Sequence, residues 1–415
     1  MKNIKVLFIS GSLGLGHVTR DLAIARELRK KFPKMEIKWL AAHPASLMLK
    51  NAGEVVLPET SGLSNENGFA EQSSKGQSLS LLTYLMKAKN AWNQNVKVFT
   101  DLIRSQHFDL VIGDETYEIV LALREQPQLK KFAFVMIYDF VGLSSMSVNP
   151  LEQLGTYMWN LKWTYDYRKK KSPPYDLGLF VGELKDVPDK SFGFMQPNRR
   201  KFSQAMYKFI GYILQFDPTE LPDKKTLRKK LGYNNEPLII ASIGGTSIGK
   251  DLLELCGRAF TIAREKIPEL HMVLVSGPRI KADFLNVPDD VEVLPFVPNL
   301  YEHFAACDLA IIQGGATSAV ELTALKKPFI YFPLEKHFEQ ANVARILNER
   351  KTGVEMKYSK TTPESLAEKI VELTGAEVNY PKLPVTGAKK AAELIAPLLK
   401  SFRKKSPVSF ESSNE

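Results

Sequence analysis

One succession of residues occurs twice in this chain: an apolar run too short for a helix, a turn of small residues, then a stretch of helical period. Residues 4–10 are apolar and enter the glycine-rich turn 11–16, after which 19–32 place Leu22, Ala25, Leu28 and Phe32 on one side. Residues 238–242 repeat the pattern, entering the small-residue turn 243–247 and a helical stretch over 251–267. Uninterrupted apolar strands are those covered on both faces, as in parallel sheets. Repeated strand–helix units then imply right-handed crossovers. Further strands are expected over 37–41, 55–57, 110–113 and 132–137, and, after the restart, over 272–275, 291–294, 309–313 and 329–332. The expected fold is therefore α/β, with two Rossmann-like, doubly wound domains facing a central cleft.

The restart follows an aperiodic stretch over 211–225 that carries Pro218 and Pro222. The expected division is an N-terminal domain over 1–215, a second domain over 216–390, and a closing helix with a flexible tail over 391–415, the helix itself covering 388–402. Residues 62–80, rich in Ser, Gly, Asn and Gln, read as a long loop. At 415 residues the chain exceeds what one core supports, which agrees with two domains.

Composition narrows the class. With 44% hydrophobic and 25% charged residues the chain is globular. Cys256 and Cys307 cannot make a disulfide framework, so a reduced, cytoplasmic setting is expected. The first ten residues hold too short an apolar core for a signal peptide. No run approaches the roughly eighteen apolar residues of a bilayer span, which argues against polytopic enzymes that use lipid-phosphate sugars. The net charge of +10 would suit nucleic acid, an anionic membrane surface or a phosphorylated ligand, and does not choose among them.

Four segments can carry chemistry. The turn with Gly11, Gly14 and Gly16 ends in His17, between a strand and a helix. Its glycines let backbone amides approach a ligand at a helix N-terminus. It departs from the dinucleotide fingerprint in spacing, and the second strand ends without the acid that would hold a ribose. His17 at that mouth can accept a proton from a hydroxyl, or serve as a structural cap. A carboxylate would orient it; Asp114 is preferred, and Asp139 stays open. The second segment, Gly244, Gly245 and Thr246, offers amides and a hydroxyl to a diphosphate. In the third, Gln313, Gly314 and Gly315 end a strand, Thr317 and Ser318 open a helix, and Glu321 follows, able to accept two ribose hydroxyls or merely to face the helix dipole. In the fourth, Glu339 and Gln340 can bind sugar hydroxyls.

These motifs, in this order and at these separations, resemble the GT-B glycosyltransferases. The likeness is strongest over 237–353, which is similar to the family 28 type donor domain shared by MurG-type N-acetylglucosaminyltransferases, plant-type lipid galactosyltransferases and UDP-glycosyltransferases. It implies that the loop from Gly314 to Ser318 meets the diphosphate of a nucleotide sugar and that Glu321 holds its ribose. It implies also that Glu339 and Gln340 meet the sugar, and that Gly244, Gly245 and Thr246 lie over the nucleotide. On the acceptor side, Gly14, Gly16 and His17 resemble a glycine-rich loop ending in a catalytic histidine. An inverting displacement follows, with UDP as the expected base and a hexosyl group as cargo. Two departures stand out. Gln313 replaces the histidine that opens this motif in many relatives, and Arg20 lies where MurG-type enzymes carry proline, free to meet phosphate, a carboxylate or solvent. No Asp-x-Asp tripeptide occurs, so neither a metal nor another cofactor is expected; amides and helix dipoles would stabilise the leaving nucleotide.

Leu151, Leu154, Met158, Leu161 and Tyr165 recur at helical period, Trp159 and Trp163 lie beside them, and Arg168 to Lys171 follow. This suits either a core helix with a solvated basic end or a peripheral membrane contact on the inner face of the membrane. The sequence does not name the acceptor; with several resembling enzymes acting on lipids, a lipid or cell-envelope glycan stays open. Two rivals are a nucleotide-sugar 2-epimerase of the same architecture and a non-enzymatic nucleic-acid-binding protein. The second lacks any recognition motif, and no nucleic-acid partner is expected.

Overall fold

The computed structural model describes residues 3–11, 15–64, 74–75, 78–79, 81–245 and 247–405. The first half contains strands β1 (Ile4–Ile9), β2 (Met35–Leu40), β3 (Val55–Val56), a hairpin of β4 (Ser74–Lys75) and β5 (Ser78–Leu79), then β6 (Leu110–Asp114), β7 (Ala133–Tyr138), β8 (Leu177–Val181) and β9 (Lys208–Gly211). Outside the hairpin they make one sheet in the order β3-β2-β1-β6-β7-β8-β9, with every pairing parallel. The second half contributes β10 (Leu238–Ser242), β11 (His271–Val275), β12 (Glu292–Leu294), β13 (Leu309–Ile312), β14 (Phe329–Tyr331) and β15 (Val354–Glu355). Their order is β12-β11-β10-β13-β14-β15, again all parallel. The expected pair of doubly wound domains is what the chain forms.

Side-chain alternation explains the covered sheets. In β1, Val6 and Phe8 enter one core while Leu7 and Ile9 enter another on the opposite face. In β10, Ile239 and Ala241 divide from Leu238 and Ile240 in the same way. Strand order reverses beside β1 and β10, and ligands in such sheets bind beyond the strand ends at that reversal. Both reversals face the cleft.

The sequence reading assigned neither β8, β9 and β15 nor the helix Leu81–Ser105 that follows the hairpin. The expected long loop over 62–80 contains β4 and β5, while 65–73, 76–77 and 80 lie outside the described residues. β8 carries Gly178, where an added Cβ would come within 2.8 Å of the Tyr207 ring, so the strand lacks a continuous apolar signature.

The chain end returns to the first domain. Helix Gly387–Lys405 buries Ala391, Ala392, Ile395 and Leu399 in the core that also holds Leu22, Ala25 and Leu28 of helix Gly16–Lys31. Residues 406–415, expected as a tail, lie outside the described residues. The returning segment runs beside the outgoing one: Tyr212 N–H donates to Pro384 O at 2.8 Å, and Gly387 N–H to Tyr212 O at 2.9 Å. Gly211 has φ +77°, and a Cβ there would lie 2.5 Å from Pro384 O, so both backbone shape and proximity require glycine.

A polar knot ties the domains nearby. Asp186, buried in the first domain, accepts from Arg350 of the second at 2.6 Å and from the Tyr212 hydroxyl. Arg345 donates to the Asp186 carbonyl at 2.6 Å. Phe140 and Phe338 meet edge to face across the cleft with centroids 5.2 Å apart.

Candidate active site in the interdomain cleft

On the second domain, β13 ends at Ile312 and the chain turns through Gly314 at φ +85° into helix Ala316–Ala324. Gly315 caps that helix without a side-chain hydrogen bond, which leaves its first amides available to a ligand. Glu321 is only 4% exposed, and among the described residues nothing donates to its carboxylate. Burial alone pushes its pKa up to about 8. A buried acid without a partner costs stability unless something supplies hydrogen bonds. Helix Phe338–Arg350 starts beside it. Glu339 rises to about 7, through burial first and then the charge of Asp139. The Gln340 side-chain carbonyl is already engaged, accepting from Leu334 N–H at 2.6 Å. His337 accepts from Gln340 N–H at 3.3 Å, and burial pulls its imidazole down to about 4.

On the first domain, helix Gly16–Lys31 opens at the end of β1 and carries His17 and Arg20 on its first turn. His17 Nδ1 lies 3.1 Å from Asp114 Oδ2 at the end of β6. Arg20 donates from Nε to Asp114 Oδ2 at 2.9 Å, from Nη2 to Oδ1 at 2.6 Å, and from Nη1 to Asp139 Oδ2 at 2.5 Å. Of the three partners open to Arg20, it takes carboxylates. Its Nη2 also lies 2.7 Å from His17 Nδ1. Burial and Arg20 push the imidazole pKa down, but Asp114 and then Asp139 outweigh them, and the net direction is upward. Asp114 and Asp139 stay below the usual carboxylate range: burial opposes this, and Arg20 overcomes it.

Glu115, next to Asp114, has φ +55°, an uncommon conformation for a side chain with a Cβ. Its Oε2 lies 3.7 Å from His17 Nε2, and its Oε1 accepts from the Tyr117 hydroxyl at 3.2 Å. Burial, then the charge of Asp139, pushes it well above the usual range.

The two sides meet around one cavity of about 380 Å³. His17, Arg20, Gly16, Asp114, Gly244, Gly245, Gln313, Gly315, Thr317, Ser318, Glu321, Glu339 and Gln340 all line it. Gly14 and Thr246 lie outside the described residues. Gly314 is not part of the wall; a Cβ there would stand 3.3 Å from Pro333 Cα, and with φ +85° the turn itself requires glycine. Sequence reasoning missed Glu115, Tyr117, Trp92, Phe140, His337 and Phe338, which also line the cavity. The adjacent acids in Asp114-Glu115 were the available signal for the first of these.

His17, Glu115 and Asp139 place ligand-type atoms within 4.8 Å of one another, as a cation would need. Arg20 already supplies a fixed positive charge to Asp139. The acceptor side is aromatic: Trp163 packs on Tyr117 at 4.8 Å and Trp92 on Trp159 at 5.0 Å. Trp159 and Trp163 thus point into the cavity, while the other face of helix Pro150–Trp163 is open, with Leu151 67%, Leu154 57% and Met158 51% exposed. Leu161 and Tyr165 are half-buried. Among the described residues no helix is long and apolar enough to cross a membrane.

Residues 239–396 match the family model described as the glycosyltransferase family 28 C-terminal domain. An uncharacterized glycosyltransferase of Methanosarcina acetivorans is 30% identical over 401 residues, covering 89% of this chain and 89% of that protein. An uncharacterized glycosyltransferase of Methanopyrus kandleri is 28% identical over 193 residues, 45% of this chain; the match spans only about half of that relative, 53%. The solved glycotransferase of kitacinnamycin superposes with a TM-score of 0.59 at 16% identity, covering 97% of this chain and 96% of that one, a likeness of fold.

Proposed function

Because this chain belongs to the GT-B glycosyltransferases with a family 28 type C-terminal domain, we propose that it moves a hexosyl group from a nucleotide sugar to an acceptor hydroxyl held beside His17. One observation carries the reading: Glu321, buried and without a partner among the described residues, faces the same cavity as His17 and Asp114. Two ribose hydroxyls would supply the hydrogen bonds that its carboxylate lacks. The amides at Gly315 and the hydroxyls of Thr317 and Ser318 would take the diphosphate at a helix N-terminus. Gly244 and Gly245 would close over the nucleotide, and Glu339 with the free amide of Gln340 would meet the sugar. UDP is the proposed base. The displacement inverts the anomeric carbon, because acceptor and leaving group approach from opposite walls. Amides and the helix dipole, not a metal, stabilise the departing diphosphate.

A lipid or cell-envelope glycan is the proposed acceptor. Support comes from the aromatic wall of Trp92, Trp159, Trp163 and Tyr117, and from the open apolar strip beside the cations Arg168 to Lys171. Such a surface fits peripheral contact with an anionic cytoplasmic membrane face. A thermal-shift panel of UDP-glucose, UDP-galactose, UDP-N-acetylglucosamine and TDP-glucose tests the donor site, since a ligand of the folded state raises its midpoint. One of them should shift the wild type and fail to shift Glu321→Ala. No shift with any of the four would overturn the reading, and epimerisation of free donor would replace it with the rival enzyme.

A further inference from the structure

We propose that Glu115 is a catalytic carboxyl: it takes the proton of the acceptor hydroxyl, which His17 holds in place by donating from Nε2. The proposal rests on the transferase reading above and concerns where the proton goes.

The closer of the two groups at Nδ1, Arg20 at 2.7 Å against Asp114 at 3.1 Å, carries the assignment. Arginine has donors only. Arg20 Nη2 at 2.7 Å from His17 Nδ1 therefore needs a lone pair there, and the ring hydrogen is then on Nε2. The competing partner of Nδ1, Asp114, already accepts from Arg20 at both oxygens. Were Asp114 and Asp139 to draw the ring to its cationic form instead, both nitrogens would carry hydrogen. With Nδ1 taking the Arg20 hydrogen bond, or with the ring cationic, Nε2 is a donor and the lone pair that a general base requires is missing from the side facing the cavity; it returns only in the tautomer that donates from Nδ1 to Asp114.

Glu115 supplies one. Its Oε2 lies 3.7 Å from Nε2. A hydroxyl oxygen about 2.8 Å from each fits at the apex of that pair, accepting from Nε2–H and donating to the carboxylate. The left-handed backbone at φ +55° turns this side chain into the cavity, and the Tyr117 hydroxyl steadies its other oxygen at 3.2 Å. Strained backbone of this kind persists where the surroundings enforce it. In the step itself the acceptor O–H bond breaks and its proton goes to Glu115. The acceptor oxygen bonds to the anomeric carbon, and the bond from that carbon to the diphosphate oxygen breaks. The electron pair leaves with the nucleoside diphosphate.

The groups facing Glu115 are His17 and Arg20 from the first helix, Asp114, Asp139 and Tyr117 from the strand ends, and Glu339 from the second domain. Burial and Asp139 favour the protonated acid, so the basic form grows as pH rises, and the rate should rise with it.

Water can stand in for the acceptor, so release of UDP from whichever of the four nucleotide sugars stabilises the wild type reads the same proton transfer. Glu115→Gln should retain the donor-induced thermal shift, lower single-turnover UDP release about 100-fold and remove the rising limb of its pH profile. Glu115→Asp should keep the limb at a reduced rate. His17→Gln, which retains an N–H, should lose less than Glu115→Gln and keep the limb. Wild-type-like release by Glu115→Gln, or a limb abolished by His17→Gln and untouched by Glu115→Gln, overturns the assignment and leaves the transferase reading standing. A wild type that neither binds nor cleaves any of the four donors overturns both.

Discussion

Thr317 Oγ1 stands 2.6 Å from the point a β-carbon on Gly16 would occupy, so the two ligand turns touch across the cleft. Gly16→Ala should therefore prop the turns apart. The donor-induced thermal shift should survive, because the proposed donor contacts lie in the second domain, while single-turnover release falls. Thr317→Ala removes the offending oxygen together with one proposed diphosphate contact, so the double variant should lose less rate than the two single losses combined. Simple additivity would place the contact outside the closed, reactive arrangement.

Glu321 gives a pH-dependent stability test. Its folded pKa, raised to about 8, exceeds the unfolded value near 4.5. Whatever it contributes is fully present below the unfolded pKa and is lost as pH rises through about 8. Ligand-free Glu321→Gln should thus gain on the wild type between those limits, by about 1–3 kcal/mol at the top. Urea melts of both proteins across that range measure it. Equal slopes against pH would mean the carboxylate is solvated after all.

Excess EDTA should leave UDP release unchanged. Among the described residues the one cluster with metal-ligand geometry lies around His17, on the acceptor side. A drop restored by magnesium or manganese would contradict a leaving group stabilised by amides.

For the membrane contact, Leu151→Ser with Met158→Ser should weaken sedimentation with phosphatidylserine vesicles. Reversing two of the cations from Arg168 to Lys171 should weaken it further, by about 1 kcal/mol per charge removed. Binding to neutral phosphatidylcholine vesicles should be poor throughout. Equal binding to both vesicle types would remove the cationic rim from the account.

Asp186→Ala leaves Arg350 without its buried acid, and loss of one partner of such a pair costs about 3 kcal/mol or more. Denaturant unfolding should show it, with a weaker effect from Asn342→Ala, since that side-chain amide donates only to the Asp186 carbonyl, at 3.3 Å.

Most of the candidate site's lining was legible because it sits where strands end in glycine or hydroxyl residues, and those transitions are local. Gln313 to Glu321 needed only its own sequence to be read. Arg20 could not be placed that way, since its partners Asp114 and Asp139 arrive from two other strands. Glu115 escaped for a different reason: its direction depends on a left-handed backbone that nothing in Asp-Glu-Thr announces. Trp159 and Trp163 shared a helix with an exposed apolar strip and were read with it, although their own face turns inward to the cavity. β8 and β9 are no shorter than β13, but Gly178 inside β8 and the exposed Lys208 opening β9 deprive them of a continuous apolar run.

The return of the C-terminal helix to the first domain changes how the cleft can move. Polypeptide crosses between the halves twice, side by side, where Ile213 pairs with Thr386. A single crossing would be a leash, allowing twist and slide in any direction. Two crossings fastened together restrict that freedom much as a hinge does, which favours turns that part there meeting again in the same register.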